Sequence, residues 1–520
     1  MAGEVVVLSL LRDFLLPEDI RRTCAFILDG DGCFEYVTPA FKPDIANRYI
    51  TAKMALGRKY QVQKKVVDEK TIKSFYDRDE QSEVEPVVVI DQIPLERSLR
   101  EFAAVIHKAV KEDAVDIHWI VRRDVVRILY RIHGRVERVD EFSFSRDVAT
   151  GILGAVYGES KDASDTSFST RNKSSCSLRF NDPPVAVRWQ TIPTGDSQGV
   201  EYDVVLRVTR QDMASTESVK TLEELGYLPG QCEMLDAACL SPGGIIMSGI
   251  TGSGKTTALR SLMQMARGTG DKKIYTVEDP IELKIYGATQ INARGGSMAD
   301  ILKGLLRGDP DIIMVGEVRG REVAGVMQDV LRSGHKMMTT IHAPSALGIV
   351  SRLSSDDIGV HRETIVEPGF IAALVYQYLM PTLCPHCKRP AKDHLDEIEK
   401  IERYLCDDLH YGLNLDGIFL RNKNGCEHCR RGISGMTICA EVVRLNYEMI
   451  KLIRDRKDAE VLHEYRLLRR TPFDHSSMVG KTAYESAIYK VSQGIIDPVD
   501  VNDMCGAMQL QEIVRGHYEN

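Results

Sequence analysis

Short apolar runs alternate with amphipathic runs through the middle of the chain, and a polar segment follows each apolar run. The apolar runs are Ile245–Met247, Lys273–Val277, Ile312–Val315 and Lys336–Ile341. Runs with helical spacing lie between them, at Thr257–Met263, Met298–Arg307 and Arg321–Ser333. This alternation predicts a mostly parallel sheet with helices on its faces. The chain is therefore predicted to be a multidomain α/β protein with its core over residues 221–383.

Residues 96–210 are predicted to form a separate α+β domain. Apolar residues at helical spacing predict a helix over Leu95–Val110, and two pairs of β-rich runs predict hairpins. The polar stretch Glu159–Ser177 between the pairs is expected to be an exposed loop. Before this domain, residues 1–95 are expected to form a docking or spacer domain, with a strand at Cys24–Leu28 and a linker at Asp77–Pro86. After it, the polar residues 211–220 are expected to be a linker.

The C-terminal part of the chain divides into a cysteine-bearing region, 384–440, and a tail, 441–520. The tail carries helical runs such as Tyr447–Arg454 and Ala483–Val491. We expect the tail to fold as a helical subdomain, a bundle with a packing role.

Composition places the chain among ordinary globular proteins. Of 520 residues, 43% are hydrophobic and 27% charged. A net charge of −8 gives no overall basic field, so no nucleic-acid partner is expected. The N-terminus makes a poor signal peptide, and the apolar stretch near Phe370–Met380 is shorter than the roughly 18 residues of a membrane span. A cytoplasmic protein is predicted.

The central motif is the glycine-rich segment between the first apolar run and its helix. It reads G-x-x-x-x-G-K-T over Gly249, Ile250, Thr251, Gly252, Ser253, Gly254, Lys255 and Thr256, and Thr257 continues into the helix. Such a loop surrounds phosphate oxygens with backbone N–H groups at the positive end of a helix. Lys255 can reach the β- and γ-phosphates, and the Thr256 hydroxyl can bind Mg²⁺. These nine residues are therefore predicted to bind ATP with Mg²⁺.

Polar residues follow the other apolar runs at the edge where a triphosphate is expected. Glu317 is predicted to orient the attacking water. Because Gly316 precedes it where an Asp is usual, Glu278 or Asp279 is expected to assist the Mg²⁺ from a second shell. His335 and His342 flank the Lys336–Ile341 run, and each remains open between nucleotide sensing and structural hydrogen bonding.

Four of the twelve cysteines form two C-x-x-C pairs, Cys384 with Cys387 and Cys426 with Cys429. Four thiolates complete a tetrahedral shell, which predicts a structural Zn²⁺ site with no open position for substrate. The 38 residues between the pairs are expected to hold a short helical insert near Leu395–Leu405. The remaining cysteines are scattered, which is typical of a reducing compartment.

Together these motifs resemble those of the type II secretion and type IV pilus ATPases. The resemblance rests on five segments in order: Gly249–Thr256, Thr276–Glu282, Leu306–Asp311, Val315–Arg319 and Gly334–His342. Asp116-Ile117-His118 and Arg131-Ile132-His133-Gly134 are similar to the N-terminal neighbour domain of that family. The cysteine array is similar to that of the assembly and export branch, and retraction motors generally lack it.

The resemblance implies a hexameric ring of RecA-like cores, each preceded by a PAS-like α+β domain. Such a ring would hydrolyse ATP to drive type IV pilus assembly or type II-like secretion, docked peripherally on an inner-membrane platform protein. By motif alignment, Arg188 and Arg207 would reach the γ-phosphate, either within one subunit or between subunits.

Alternative functions remain open at this point. A retraction motor or a conjugative type IV secretion ATPase is the nearest, and the cysteine array argues against retraction. A DNA translocase is disfavoured by the acidic charge, and a GTPase by the lack of an Asn-Lys-x-Asp motif. Departures from the family pattern, such as Gly320 and Ala343-Pro344, indicate a divergent branch, for which a plasmid-type thin pilus is the candidate.

Overall fold

The computed structural model describes most of the chain, with gaps mainly before residue 97. The described residues are 6–7, 24–29, 32–39, 53, 61–72, 97–160, 163–164, 168–194, 201–210, 219–268, 272–281, 285–293 and 296–511. The chain divides into two compact units, Met1–Val87 and Val88–Asn520. The expected linker at Asp77–Pro86 and most of the one at 211–220 lie outside the described residues.

The first unit contains a four-stranded sheet in the order β1-β2-β3-β4. Its strands are β1 (Val6–Val7), β2 (Cys24–Asp29), β3 (Gly32–Val37) and β4 (Val62–Val66). Neighbours are antiparallel except β3 and β4, which run parallel. The strand expected at Cys24–Leu28 is confirmed as β2, and the docking role of this unit stays a prediction.

The N-terminal domain of the second unit is a six-stranded antiparallel sheet with two helices on one face. The sheet order is β7-β6-β5-β10-β9-β8. Its elements are α1 (Arg97–Lys111), β5 (Ala114–Val121), β6 (Val126–Ile132), β7 (Arg135–Arg138), α2 (Arg146–Glu159), β8 (Ser174–Asn181), β9 (Pro184–Pro193) and β10 (Tyr202–Arg210). Both predicted hairpins and the predicted first helix are present.

Aromatic side chains fill the space between that sheet and its helices. Phe102 of α1 stacks on Trp119 and Trp189, and all three are buried. The expectation of an exposed loop over Glu159–Ser177 is wrong at its C-terminal end. There β8 begins at Ser174, and Cys176 is buried. The polar composition of the segment concealed a strand with one buried face.

The core domain is a seven-stranded sheet in the order β13-β12-β14-β15-β11-β16-β19. All neighbours are parallel except β16 and β19, so the predicted mostly parallel sheet is confirmed. The strands are β11 (Gly243–Ser248), β12 (Ile274–Glu278), β13 (Ala288–Asn292), β14 (Ile312–Val315), β15 (Lys336–Thr340), β16 (Ile371–Leu383) and β19 (Ile433–Val443). The central strands are buried throughout because helices cover both faces.

In the described part of the core domain, seven helices connect or cover these strands. They are α3 (Leu222–Leu225), α4 (Pro229–Leu240), α5 (Lys255–Arg267), α6 (Met298–Leu305), α7 (Arg321–Arg332), α8 (Gly348–Leu353) and α9 (Arg362–Ile365). Two apolar clusters result. One includes α4 and α5, and the other includes α6, α7 and α8.

The cysteine subdomain lies between the far ends of β16 and β19. It contains β17 (Arg389–Pro390), α10 (Leu395–Ile398), α11 (Glu402–Cys406) and β18 (Phe419–Leu420). The expected helical insert is thus present as two short helices. Arg430 beside the second cysteine pair bonds to Glu137 of the N-terminal domain at 2.7 Å and lies 3.1 Å from Glu112. Arg135 pairs with Asp500 of the tail. These ion pairs hold the N-terminal domain against the cysteine subdomain and the tail.

The tail helices do not form the single bundle that we expected. They are α12 (Tyr447–Arg454), α13 (Asp458–Leu467), α14 (Ala483–Ser492) and α15 (Pro498–Cys505). The first two bury side chains in the core domain, and the last two pack against the cysteine subdomain. None of the helices in the described part of the chain combines the length and apolar character that crossing a membrane requires.

Candidate functional site

The glycine-rich loop joins the buried strand β11 directly to helix α5. Three of its glycines adopt positive φ: Gly249 at 151°, Gly252 at 79° and Gly254 at 82°. A side chain at Gly249 would also place a Cβ 2.2 Å from the carbonyl oxygen of Gln377. Glycine is therefore required there for both conformation and space. The strand, loop and helix order that the motif needs is present.

The loop ends at the N-terminus of α5, whose first residue is Lys255. The first N–H groups of a helix have no partner within the helix, and their dipoles favour an anion. Thr256 and Thr257 lie in the first turn of α5. The Lys255 ammonium donates to the carbonyls of Gly249 at 2.8 Å and Ile250 at 3.1 Å, so it lies along the loop.

Glu317 lies two residues after β14, at the same edge of the sheet as the loop. Both of its carboxylate oxygens have partners. One accepts a 2.8 Å hydrogen bond from Arg319 Nε, and the other lies 3.4 Å from His342 Nε2. Because different groups hold the two oxygens, the plane of the carboxylate is defined. The side chain of Glu317 is 21% exposed, so it faces a partly wetted edge.

Glu278 ends the neighbouring strand β12 and is buried. It accepts hydrogen bonds from Thr276 Oγ1 at 2.7 Å and Gln290 Nε2 at 3.0 Å. A Cβ at Gly316 would lie 3.6 Å from the Glu278 Cα, which is ordinary contact distance. Glu278 therefore borders the position where the usual Asp is missing.

Arg188 and Arg207 lie side by side on the sheet face that the helices leave uncovered. They are direct cross-strand partners on β9 and β10, and Asp116 on β5 is the next residue in the same row. Arg207 Nε donates to Asp116 Oδ1 at 3.0 Å, and Arg131 Nε lies 3.6 Å from Asp116 Oδ2. The Asp116 carboxylate thus lies between Arg207 and Arg131 and offsets their charges, whereas Arg188 and Arg207 are like-charged neighbours.

Both arginines line a cavity of about 420 Å³ between the N-terminal and core domains. Asp279 and Pro280, which follow Glu278, line the same cavity from the core side. The structure thus brings Arg188, Arg207 and Asp279 of one chain to a single cavity, and the residues that line it do not include the loop Gly249–Thr256 or Glu317.

His335 does not join the other predicted residues in this chain. It precedes β15, whereas His342 follows it, so the two lie at opposite edges of the sheet. Its Nδ1 lies 2.8 Å from Ser333 Oγ. Three residues near the site carried no role in the sequence reasoning: Gln377, Tyr227 and Asp116. A Gln inside an otherwise apolar strand is a usable signal, because a buried amide needs polar partners.

The four cysteines form a compact sulfur cluster. Their sulfur atoms all lie within 4.8 Å of one another. The Sγ–Sγ distances are 3.8 Å for Cys384–Cys426, and 3.6 Å for both Cys387–Cys429 and Cys426–Cys429. A tetrahedral shell with Zn–S bonds of about 2.3 Å has edges of about 3.8 Å, so the cluster fits that ion. His386 and His428 lie outside the cluster, and their rings contact each other at a tilt of 38° with centroids 4.2 Å apart.

Comparison with known proteins identifies the family of this chain. The family model described as "Type II/IV secretion system protein" matches residues 90–503. The chain is 29% identical over 331 residues to the type II secretion system protein E of Klebsiella pneumoniae, covering 62% of this chain and 61% of that protein. It is 31% identical over 306 residues to the type IV pilus assembly ATPase PilB of Pseudomonas aeruginosa, covering 58% and 49%. The match thus spans less than two thirds of either relative.

Among solved structures, the Legionella pneumophila ATPase DotB shares the fold. The superposition has a TM-score of 0.52 at 19% identity and covers 81% of this chain and 99% of that one. The family match extends over most of the chain and includes the N-terminal domain, the glycine-rich loop, Glu278, Glu317 and the cysteine cluster. The chain therefore belongs to the type II/IV secretion system protein family.

Proposed function

We propose that this chain is an ATPase motor that hydrolyses ATP to drive type IV pilus assembly or type II-like protein secretion at the inner membrane. The observation that carries the proposal is the glycine-rich loop beside Glu317 at one edge of a parallel sheet. Family membership supports it, since curated relatives are named type II secretion system protein E and type IV pilus assembly ATPase.

The loop residues Gly249–Thr256 would bind the phosphates through backbone N–H groups and the N-terminus of α5. Lys255 would exchange its loop carbonyls for the β- and γ-phosphates, since an ammonium binds a phosphate oxygen more strongly than a neutral carbonyl. The Thr256 hydroxyl would hold Mg²⁺, which supplies positive charge to the phosphates, and Glu278 or Asp279 would order water around it.

Glu317 would accept a hydrogen bond from the attacking water and align it with the γ-phosphorus. Its contacts to Arg319 and His342 hold both carboxylate oxygens and so fix the plane of the carboxylate. Negative charge then builds on the transferred phosphoryl group. Arg188 and Arg207 would stabilise that charge, from the same chain or from a neighbouring subunit, and Asp279 of the same chain lines the cavity that they share.

The cysteine cluster would hold one structural Zn²⁺ through Cys384, Cys387, Cys426 and Cys429. The tetrahedral spacing of the sulfur atoms supports this assignment. The ion would join the far ends of β16 and β19, because β16 ends immediately before Cys384 and β19 begins shortly after Cys429.

The assembly that fits this motor is a cytoplasmic hexamer of RecA-like cores preceded by PAS-like domains. It would contact a platform protein of the inner membrane peripherally, and no nucleic acid. Support comes from family membership and from the fold shared with DotB.

The decisive test compares Glu317→Gln with Lys255→Ala in purified full-length protein. Glu317→Gln should retain Mg·ATP binding and lose about 10²–10⁴-fold in turnover, because the charge disappears with little change of shape. Lys255→Ala should lose both binding and turnover. Glu322→Gln, an exposed carboxylate in the first turn of α7, is the matched control and should hydrolyse ATP normally. Normal turnover by Glu317→Gln, or no Mg·ATP binding by wild type, would reject the proposal.

A further inference from the structure

Gln377 is a fully buried amide in the middle of β16, and both ends of its side chain are hydrogen-bonded. Its Nε2 donates to the carbonyl oxygen of Ser253 in the glycine-rich loop at 2.6 Å. Its Oε1 accepts a hydrogen bond from the hydroxyl of Tyr227. The Ser253 carbonyl can only accept, so this contact fixes which end of the amide faces the loop.

Holding the Ser253 carbonyl determines where the next N–H group points. In a planar trans peptide, the C=O of one residue and the N–H of the following residue point in opposite directions. Gln377 draws the Ser253 oxygen towards β16, so the Gly254 N–H is directed away from β16. Gly254 is the residue immediately before α5, where the loop and the helix both present N–H groups.

Strand β16 also contacts the start of the loop. A Cβ at Gly249 would lie only 2.2 Å from the backbone carbonyl oxygen of Gln377. A Cβ at Gly254 would lie 3.5 Å from Nε2 of the Gln377 side chain. One residue of β16 therefore supports both ends of the glycine-rich loop. A close approach at two points restricts the loop more than a single hydrogen bond does.

Tyr227 connects this support to the first residues of the core domain. It follows α3, the first helix after the N-terminal domain, whose start is capped by Thr221 and Glu224. The carbonyl oxygen of the preceding residue, Gly226, accepts a hydrogen bond from Lys490 Nζ at 2.6 Å. Lys490 is buried and also donates to Thr437 Oγ1 and the Ile438 carbonyl. The tyrosine is thus held at a fixed place by the tail and by β19.

We propose that Gln377 is a positioning residue that orients the Ser253–Gly254 peptide for phosphate binding, with Tyr227 holding Gln377 in place. The role rests on the proposed ATPase function, because it concerns nucleotide affinity at the same loop. Preorganised donors bind an anion without a reorganisation cost, so the effect belongs in nucleotide binding more than in the chemical step.

The experiment pairs each variant with a control that removes an equivalent buried group elsewhere. Gln377→Leu is compared with Gln231→Leu, because Gln231 is also buried and donates to a backbone carbonyl, that of Ala440, at 2.7 Å. Tyr227→Phe is compared with Tyr378→Phe, because the Tyr378 hydroxyl also donates to a buried oxygen, the Ala483 carbonyl, at 3.0 Å. The readouts are the Kd of a fluorescent ATP analogue with Mg²⁺, the KM and kcat of ATP hydrolysis, and the melting temperature.

Gln377→Leu should raise the Kd and KM for ATP about tenfold while kcat falls less than about threefold, since one buried hydrogen bond to the loop is lost. Tyr227→Phe should raise both about two- to threefold. Gln231→Leu should lower the melting temperature like Gln377→Leu but leave Kd and KM unchanged, and Tyr378→Phe should bind ATP normally.

Two results would overturn the proposal in distinguishable ways. If wild type binds and hydrolyses Mg·ATP while Gln377→Leu and Tyr227→Phe match it, or match their controls, the positioning role is wrong and the ATPase function stands. If wild type itself binds no Mg·ATP, the proposed function fails and the role with it. Should Gln377→Leu not fold, Tyr227→Phe decides alone, because it removes a single oxygen atom.

Discussion

Glu441 is a fully buried carboxyl on β19, and replacing it with Gln should stabilise the protein at neutral pH. One of its oxygens accepts from the Ala483 backbone N–H, and its Oε1 has no hydrogen-bond partner among the described residues. Arg466, the cation that lowers the pKa of Glu441, is already paired with both oxygens of Glu485. An ionised Glu441 is therefore a buried charge without a dedicated partner.

The size of the effect follows from the pKa of Glu441. Burial raises this pKa from 4.5 to about 7; Arg466 lowers it and Glu485 raises it further. Because the folded pKa is the higher one, the folded state binds more protons between pH 4.5 and 7. The contribution of Glu441 to the free energy of unfolding is fully present below about pH 4.5 and is lost as the pH rises through about 7. At about 1.4 kcal/mol per pH unit, the loss is about 3 kcal/mol.

Thermal unfolding of wild type and Glu441→Gln at pH 5 and pH 8 measures this directly. Other titratable groups affect both proteins equally, so their effect cancels from the difference in melting temperature between wild type and variant. At about 2.1 cal/mol/K per residue over Val88–Asn520, 3 kcal/mol corresponds to a melting temperature roughly 3 °C higher for the variant at pH 8. At pH 5 the two should melt within about 1 °C of each other, because little of the cost is present there.

Glu485→Gln is the contrasting control in the same polar network. It breaks the buried pair with Arg466, so it should destabilise the protein by about 3–5 kcal/mol at pH 8. A Glu441→Gln variant that melts at or below the wild-type temperature at pH 8 would refute the reasoning. An equal gain at pH 5 and pH 8 would refute it as well, because a packing effect does not depend on protonation.

Two further predictions concern the cysteine subdomain. Purified native protein should contain one Zn per chain by metal analysis, and Cys384→Ser with Cys426→Ser should lose it and melt at a lower temperature; a stable native protein without metal would contradict this. Arg430→Met should raise the rate of amide hydrogen exchange in β7, because it releases Glu137. It should lower the free energy of unfolding by about 1 kcal/mol or less. Exchange unchanged from wild type would mean that other contacts hold the domains together.

The parts of the site that lie together in the sequence were predictable from it. The strand, glycine loop and helix around Gly249–Thr256 are consecutive, and Glu317 follows its strand within two residues. Periodicity and motif spacing report such local arrangements directly. The same holds for the cysteine pairs, whose chemistry brings them together whatever the chain between them does.

Contacts between distant segments were not predictable. Gln377 and Ser253 are 124 residues apart, and Arg430 and Glu137 are 293 apart. A pattern of apolar positions shows that a face is buried, but it does not show what buries it. For that reason the tail was expected to pack on itself, whereas α12 and α13 pack on the core domain.

Strand β16 determines how a mechanical force on the cysteine subdomain reaches the glycine-rich loop. It touches the glycine-rich loop at Gln377 and ends at Leu383, immediately before Cys384, so one strand spans from the loop to the sulfur cluster. It pairs with β19 through ten consecutive residues, from Leu374 to Leu383. A force pulling along this strand loads those pairs in shear, so they must yield together and not one after another. Tension at the cysteine end is therefore transmitted to the loop with little stretching between them.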